Sequence, residues 1–251
     1  MRLRHAIAAV AGLAALFALP GAAAGTFTIS PLRVDFTGAS GTAALNVRNE
    51  EAVPVVVQAE GLSWSQEGGK DVLAPSRDLL ISPAVFTLAP GGSQLVRVAL
   101  RRAPDATREL AYRMTLQEVP QAASPDFNGL QVALRLSVPV FVAPVAPAAP
   151  EVTWSARREA DGRTVLAAHN GGSAHAQIHR FVLQTADGAR TLFEQPGLAY
   201  VLPDANRLWT IDDKNESTRV NGAAALQPGA YRLEGKTDRG TFTTGLTVTA
   251  D

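Results

Sequence analysis

From Leu130 to Val140 every second residue is a branched apolar one: Leu130, Val132, Leu134, Leu136, Val138 and Val140. Gln131, Ala133, Arg135, Ser137 and Pro139 stand between them. A period of two places one set on each face of an extended chain, so the segment predicts a β-strand with an apolar face and a mixed face. Pro139 has no N–H to give to a ladder, which predicts an edge strand, at least near that end. A long apolar edge invites pairing with another chain, making the segment a candidate for β-augmentation. The same pattern also fits a half-buried strand of an ordinary sandwich.

Similar patterns recur along the chain, and helical ones do not. Thr26–Phe36, Ala43–Val47, Val53–Trp64, Leu79–Leu88, Gln94–Leu100 and Ala111–Val119 read as strands. Turn signals separate them: Thr37-Gly38, Asn49-Glu50, Glu67-Gly68-Gly69, Pro90-Gly91-Gly92 and Pro104-Asp105. With 130–141 these strands predict an immunoglobulin-like sandwich over residues 25–142, without the Cys…Trp…Cys signature of antibody domains. The stretch 143–150, with Pro144, Pro147 and Pro150, predicts an extended, semi-rigid linker. Beyond it, Glu151–Ser155, Arg163–His169, Ala176–Thr185, Arg190–Glu194, Leu198–Leu202, Leu208–Ile211, Gly229–Glu234 and Gly240–Thr249 predict a second β-sandwich over 151–251.

The first 24 residues stand apart. Arg2 and Arg4 precede an apolar run from Ala6 to Leu19, and Ala22-Ala23-Ala24 offers a small-residue cleavage site. This is a secretory signal peptide, with Pro20-Gly21 ending a run too short to span a bilayer. Its removal would leave an exported chain with no integral membrane segment. Without Arg2 and Arg4 the 23 basic residues fall to 21 against 23 acidic ones, a net charge of −2. That balance carries no basic stripe for nucleic acid. Cysteine is absent, which excludes thiol chemistry, thiolate metal sites and disulfide staples.

Catalytic chemistry is hard to assemble from what remains, and no enzyme is expected. His169, His175 and His179 cluster around one strand–turn unit and read as surface turn residues rather than metal ligands. There is no G-x-S-x-G elbow for a hydrolase nucleophile. Gly91-Gly92-Ser93 and Gly171-Gly172-Ser173 are turns with no helix behind them to hold a phosphate. Asp212-Asp213 lies in a polar loop and reads as solvated. No cofactor is implied. Arg33, between Leu32 and Val34 in the first strand, is different: an arginine there is either a surface residue or one whose fork has an acceptor to find.

ISPLRVDFTG, LNVRNEEAVPVVVQAEGLSW, LLISPAVFTLAPGGSQLVRVAL, AYRMTLQEVP and LQVALRLSVPVFVAP occur in that order over residues 26–144. Together they resemble the periplasmic pilus chaperones of the chaperone–usher pathway. The second half is similar more loosely, through H-N-G-G-x-A and a final G-x-Y…G-x-F pattern. The SP-x-x-F-T-L-x-P-G run, the short Gln121–Asn128 loop and the lack of cysteine are most similar to the archaic branch. The resemblance implies an all-β chain of two immunoglobulin-like sandwiches in a boomerang arrangement, located in the periplasm. It implies pilus subunits and an outer-membrane usher as partners. It also implies a function without chemistry or ATP: the chaperone lends an edge strand to a subunit lacking one. That strand would be 130–140, with Leu130, Val132, Leu134 and Leu136 entering the subunit and Val138 and Val140 staying in the chaperone's core.

By the same resemblance Arg33 anchors the subunit's terminal carboxylate. The family's partner lysine, however, falls on Pro139, which leaves the carboxylate to Arg33 alone, to another cation, with Arg97 and Arg135 as the substitutes, or to a different anchoring scheme. A linker arginine of the better-known members falls on Ala143, which leaves Asp238 without its interdomain mate and the interdomain angle to be fixed otherwise. Self-association of the free chain is left open. So is a second class of function, an exported adhesin or surface-assembly module that uses the sandwich without lending a strand.

Overall fold

The computed structural model describes residues 27–38, 41–120, 132–211 and 226–250. The signal peptide, the Gln121–Asn128 loop, Leu130 and Asp212-Asp213 lie outside the described residues. Among the described residues, ten strands form the first half: β1 (Phe27–Ser30), β2 (Val34–Phe36), β3 (Thr42–Asn49), β4 (Val55–Glu67), β5 (Lys70–Pro75), β6 (Leu79–Ser82), β7 (Val85–Leu88), β8 (Ser93–Leu100), β9 (Leu110–Glu118) and β10 (Arg135–Val142). One sheet has the order β1-β3-β8-β6; the other has β2-β10-β9-β4-β5, with β7 also on β4. Alternating residues from both meet in one core, where Leu45, Val47, Val57, Val96, Val98, Met114, Leu116 and Val140 are fully buried. Burying each such side chain contributes about 1.5–3 kcal/mol.

Two predicted strands each divide between the sheets. Thr26–Phe36 becomes β1 and β2, and Leu79–Leu88 becomes β6 and β7. Both breaks fall at Ser-Pro, at Ser30-Pro31 and Ser82-Pro83, whose peptide bonds are cis. A proline interrupts the ladder because it has no N–H to contribute. β5 was not expected from the pattern: every one of its residues is exposed, so no apolar alternation marks it.

The second half contains β11 (Val152–Arg158), β12 (Thr164–Asn170), β13 (Ala176–Thr185), β14 (Thr191–Val201), β15 (Ala205–Ile211), β16 (Gly229–Thr237) and β17 (Gly240–Ala250). They form one continuous sheet in the order β14-β13-β16-β17-β11-β12-β15, folded around a core that includes Leu166, Ile178, Phe181, Leu183, Phe193 and Leu233. Arg190–Glu194 and Leu198–Leu202, predicted as separate strands, are one. Pro196 is tolerated inside it because β14 ends the sheet and has an unpaired side.

A third apolar cluster joins the two sandwiches: Trp64, Phe141, Tyr200, Leu202 and Ala205. Around it the Gln66 side chain donates to the Tyr200 carbonyl at 2.9 Å and accepts from the Leu202 N–H at 3.0 Å. Arg207 pairs with Asp71 at 3.0 Å, and Arg108 with Asp204 at 2.9 Å. The Pro-rich segment is tied to both sides. Val145 and Ala146 donate to the carbonyls of Asp105 and Ala106, while the Ala149 carbonyl accepts from Ser173.

Candidate strand-lending edge and cationic cleft

β10 pairs with β9 along its whole length, but with β2 only from Val140 to Val142. The edge expected at Pro139 is there, on the side away from β9: the open side runs from Arg135 to Pro139, and only the last three residues, Val140 to Val142, are interior. The Glu118 N–H donates to the Leu134 carbonyl at 2.8 Å, so Leu134, Leu136 and Val138 turn their backbone groups toward β9. Arg135, Ser137 and Pro139 consequently turn theirs outward, and beyond them the Ala143 N–H donates to Phe36. The donor that Pro139 lacks would have pointed into the open side, so the β9–β10 ladder loses nothing.

Side chains alternate as the sequence predicts. Val138, Val140 and Val142 belong to the first sandwich's own core, while Leu134 and Leu136 are half-buried against its margin. Val132 is 72% exposed.

Val34 pairs with Val140, so Arg33 enters β2 beside Pro139. Its Nε donates to Asp35 Oδ2 at 2.8 Å, and its Nη1 to Gln177 Oε1 of the second domain at 2.7 Å. On the opposite flank Arg113 of β9 is the register partner of Pro139. The Arg113 guanidinium carbon lies 3.7 Å from the centre of the Trp64 ring and 5.6 Å from that of Tyr200. Burial lowers the pKa of Arg113, with Asp71 acting in the opposite sense. No described carboxylate comes within ion-pair distance of it. Burial raises the Tyr200 hydroxyl, and both Arg33 and Arg113 pull it back down; the two arginines stand on either side of Pro139.

The two substitute cations fare differently. Arg97 is on β8, exposed on the outer face of the other sheet, and is not brought to Arg33. This corrects the expectation that it could complete the site. Its place in the four-stranded sheet depends on strand order, which its own sequence context does not reveal. Arg135 shares the outward-facing row with Pro139, but sits four residues away, about 13 Å along the strand. Arg113 was missed in the sequence because nothing local marks it. It is the polar member of an alternating strand, and only the β9–β10 register sets it against Pro139. Asp238 makes no described ion pair; its N–H donates to the Gln177 carbonyl at 3.1 Å.

Residues 26–148 match the family described as pili and flagellar-assembly chaperone, PapD N-terminal domain. The chaperone protein FimB/FhaD of Bordetella pertussis is 25% identical over 249 residues, covering 89% of this chain and 98% of the relative. A chain of the CsuC–CsuE chaperone–tip adhesion subunit pre-assembly complex, from archaic Csu pili of Acinetobacter baumannii, shares the fold. Its TM-score is 0.62 at 20% identity, covering 90% of this chain and 99% of that one. The CupB2 chaperone of Pseudomonas aeruginosa gives a TM-score of 0.55 at 20% identity, covering 88% and 100%. Two immunoglobulin-like sandwiches, the family's motifs in the first of them and a relative aligned end to end agree: the chain belongs to the pilus-assembly chaperones of the chaperone–usher pathway.

Proposed function

We propose that this protein is a periplasmic, non-enzymatic chaperone of the archaic branch, which lends the open side of β10 to a pilus subunit and delivers that subunit to an outer-membrane usher without ATP. The observation that carries this reading is where the open side stops. A strand added beside Arg135–Pro139 meets β2 at Val140 and has to end or turn there. Arg33 and Arg113 flank that stop. A chain running parallel to β10 would bring its terminal carboxylate to two guanidiniums; an antiparallel one would bring an ammonium against like charge. The cations therefore favour a parallel strand whose C-terminus is held between Arg33 and Arg113, with Arg135 further along the same edge.

Leu130, Val132, Leu134 and Leu136 are the residues proposed to fill the subunit's groove. Val132 is already exposed, and Leu134 and Leu136 lie at the core's margin, so turning them toward a partner empties no buried site. The driving force is the subunit's own unfilled apolar groove, together with main-chain hydrogen bonds to the open edge. Relatives solved with a tip adhesion subunit and with the SafA pilin support this choice of partner over a free-standing adhesin module.

The test is to purify the tagged mature protein from its native periplasm and weigh what accompanies it by native mass spectrometry. A one-to-one complex with a pilus subunit that is degraded without this protein is the expected result. A lone monomer beside abundant subunit would overturn the proposal.

A further inference from the structure

The segment His169-Asn170-Gly171-Gly172-Ser173-Ala174-His175 is not used by the strand-lending edge, yet it is hydrogen-bonded to the linker and to the first domain. Asn170 is fully buried. Its Oδ1 accepts from the N–H groups of Glu151 and Gly172, and its Nδ2 donates to the carbonyls of Ala174 and Val201. Gly172 lies so close to the linker that a Cβ there would be 2.3 Å from the Ala149 carbonyl oxygen. The loop is thereby fixed to the linker, and it presents its last residue to the first domain.

That residue, His175, meets Glu109 at the entrance to β9. Glu109 Oε1 accepts from the His175 backbone N–H at 3.0 Å and lies 2.7 Å from Nδ1, and both side chains are 9% exposed. The Glu109 N–H returns a bond to the Ser173 carbonyl at 2.9 Å. A carboxylate only accepts, so Nδ1 carries the hydrogen of that contact. The imidazole also lies flat on Phe141 of β10, with ring centres 3.6 Å apart and an 8° tilt. Phe141 is two residues beyond Pro139, on the same face. Two residues after His175 in the other direction comes Gln177, the acceptor for Arg33.

We infer that Glu109 and His175 form the latch that fixes how the two domains stand, in place of the ion pair that Ala143 and Asp238 cannot make, and that they position the cleft through Phe141 and Gln177. Both are positioning residues: neither faces the open side of β10. The effect on capture rests on the proposed function, whereas the domain geometry can be measured without it.

The native chain has no cysteine, so Thr87→Cys and Thr247→Cys on exposed faces of the two domains place a unique spin-label pair. The interdomain distance distribution is then read by pulsed electron paramagnetic resonance in the full mature protein. His175→Ala and Glu109→Ala are expected to at least double its width and to weaken subunit capture about tenfold, the effect of losing a charge-assisted hydrogen bond. His175→Asn, whose amide N–H can stand in for Nδ1–H, is expected to restore the narrow distribution. Arg33→Ala is expected to weaken capture with the distribution still narrow. Distributions as narrow as wild type in both alanine variants would overturn the latch. Should His175→Ala fail to fold, Glu109→Gln reads the same contact, and a wild-type width in Glu109→Ala alone would overturn it. Failure of every form to capture a subunit, with the widths changing as described, would overturn the proposed function and leave the latch standing.

Discussion

Arg113 stands directly across from Pro139 on the β9–β10 pair, held against the face of Trp64. In the proposed anchoring scheme Arg113 supplies, from one strand away, the cation that Pro139 cannot. Arg33→Ala and Arg113→Ala are each expected to weaken subunit capture by roughly 10- to 100-fold, the cost of one lost charge-assisted hydrogen bond. Arg97→Ala is expected to leave capture unchanged. Affinities for a purified subunit, or for a peptide of its C-terminal strand with free and amidated termini, would check this. Amidation should erase most of the difference between wild type and either variant.

Leu134→Lys and Val138→Lys separate lending from folding. Leu134 is half-buried at the core margin, and a lysine there can turn its ammonium outward in the free chain. In the complex that charge would enter a dry groove, so capture should be lost while thermal melting stays close to wild type. Val138 is 3% exposed inside the chaperone's own core, and its lysine variant should fail to fold. Circular dichroism melts paired with capture assays distinguish the two outcomes.

Alanine at Asn170 should lower stability by about 2–4 kcal/mol, because several backbone groups buried around it lose their partners together. Urea unfolding of Asn170→Ala beside His169→Ala, whose ring contacts Asn206 on the exposed surface, gives the comparison. The second substitution is expected to have little effect.

Tyr112 ties stability to alkaline pH. Burial, and then its hydrogen bond to Asp78 at 2.8 Å, push the Tyr112 hydroxyl from its ordinary value of 10.0 up to about 12. The folded state therefore holds this proton more tightly than the unfolded chain does. The contribution is complete below pH 10 and is lost as pH rises toward about 12. Melting temperature should fall more steeply over that window in wild type than in Tyr112→Phe. Parallel slopes would contradict the assignment.

Much of the edge was legible in the sequence. Alternation from Val132 to Val140 marks one apolar face, but all five branched residues share it, and the change from exposed Val132 to buried Val138 and Val140 is set by how far the sandwich extends along the strand. The cleft was legible only in part. Arg33 could be picked out beside its apolar neighbours, but Arg113 acquires its role from a register between strands far apart in the chain. Arg97 and Arg113 are both arginines in alternating strands, and only the strand order tells which one stands across from Pro139. The Ser-Pro breaks were visible as residues, but not as changes of sheet. The joint was the least legible part, since His175 and Glu109 are 66 positions apart and each looks like an ordinary loop residue.

The half-covered side of β10 also has a consequence for stoichiometry. A strand open along both edges can be a link in an indefinite series, taking one neighbour and offering itself to the next. Here β9 occupies one edge throughout, and β2 closes the far end of the other. What is left, among the described residues, is a vacancy on one side alone, stopped at Val140. A molecule built this way can cap a growing polymer's building block, yet it has no second edge on that strand from which a polymer of its own could grow.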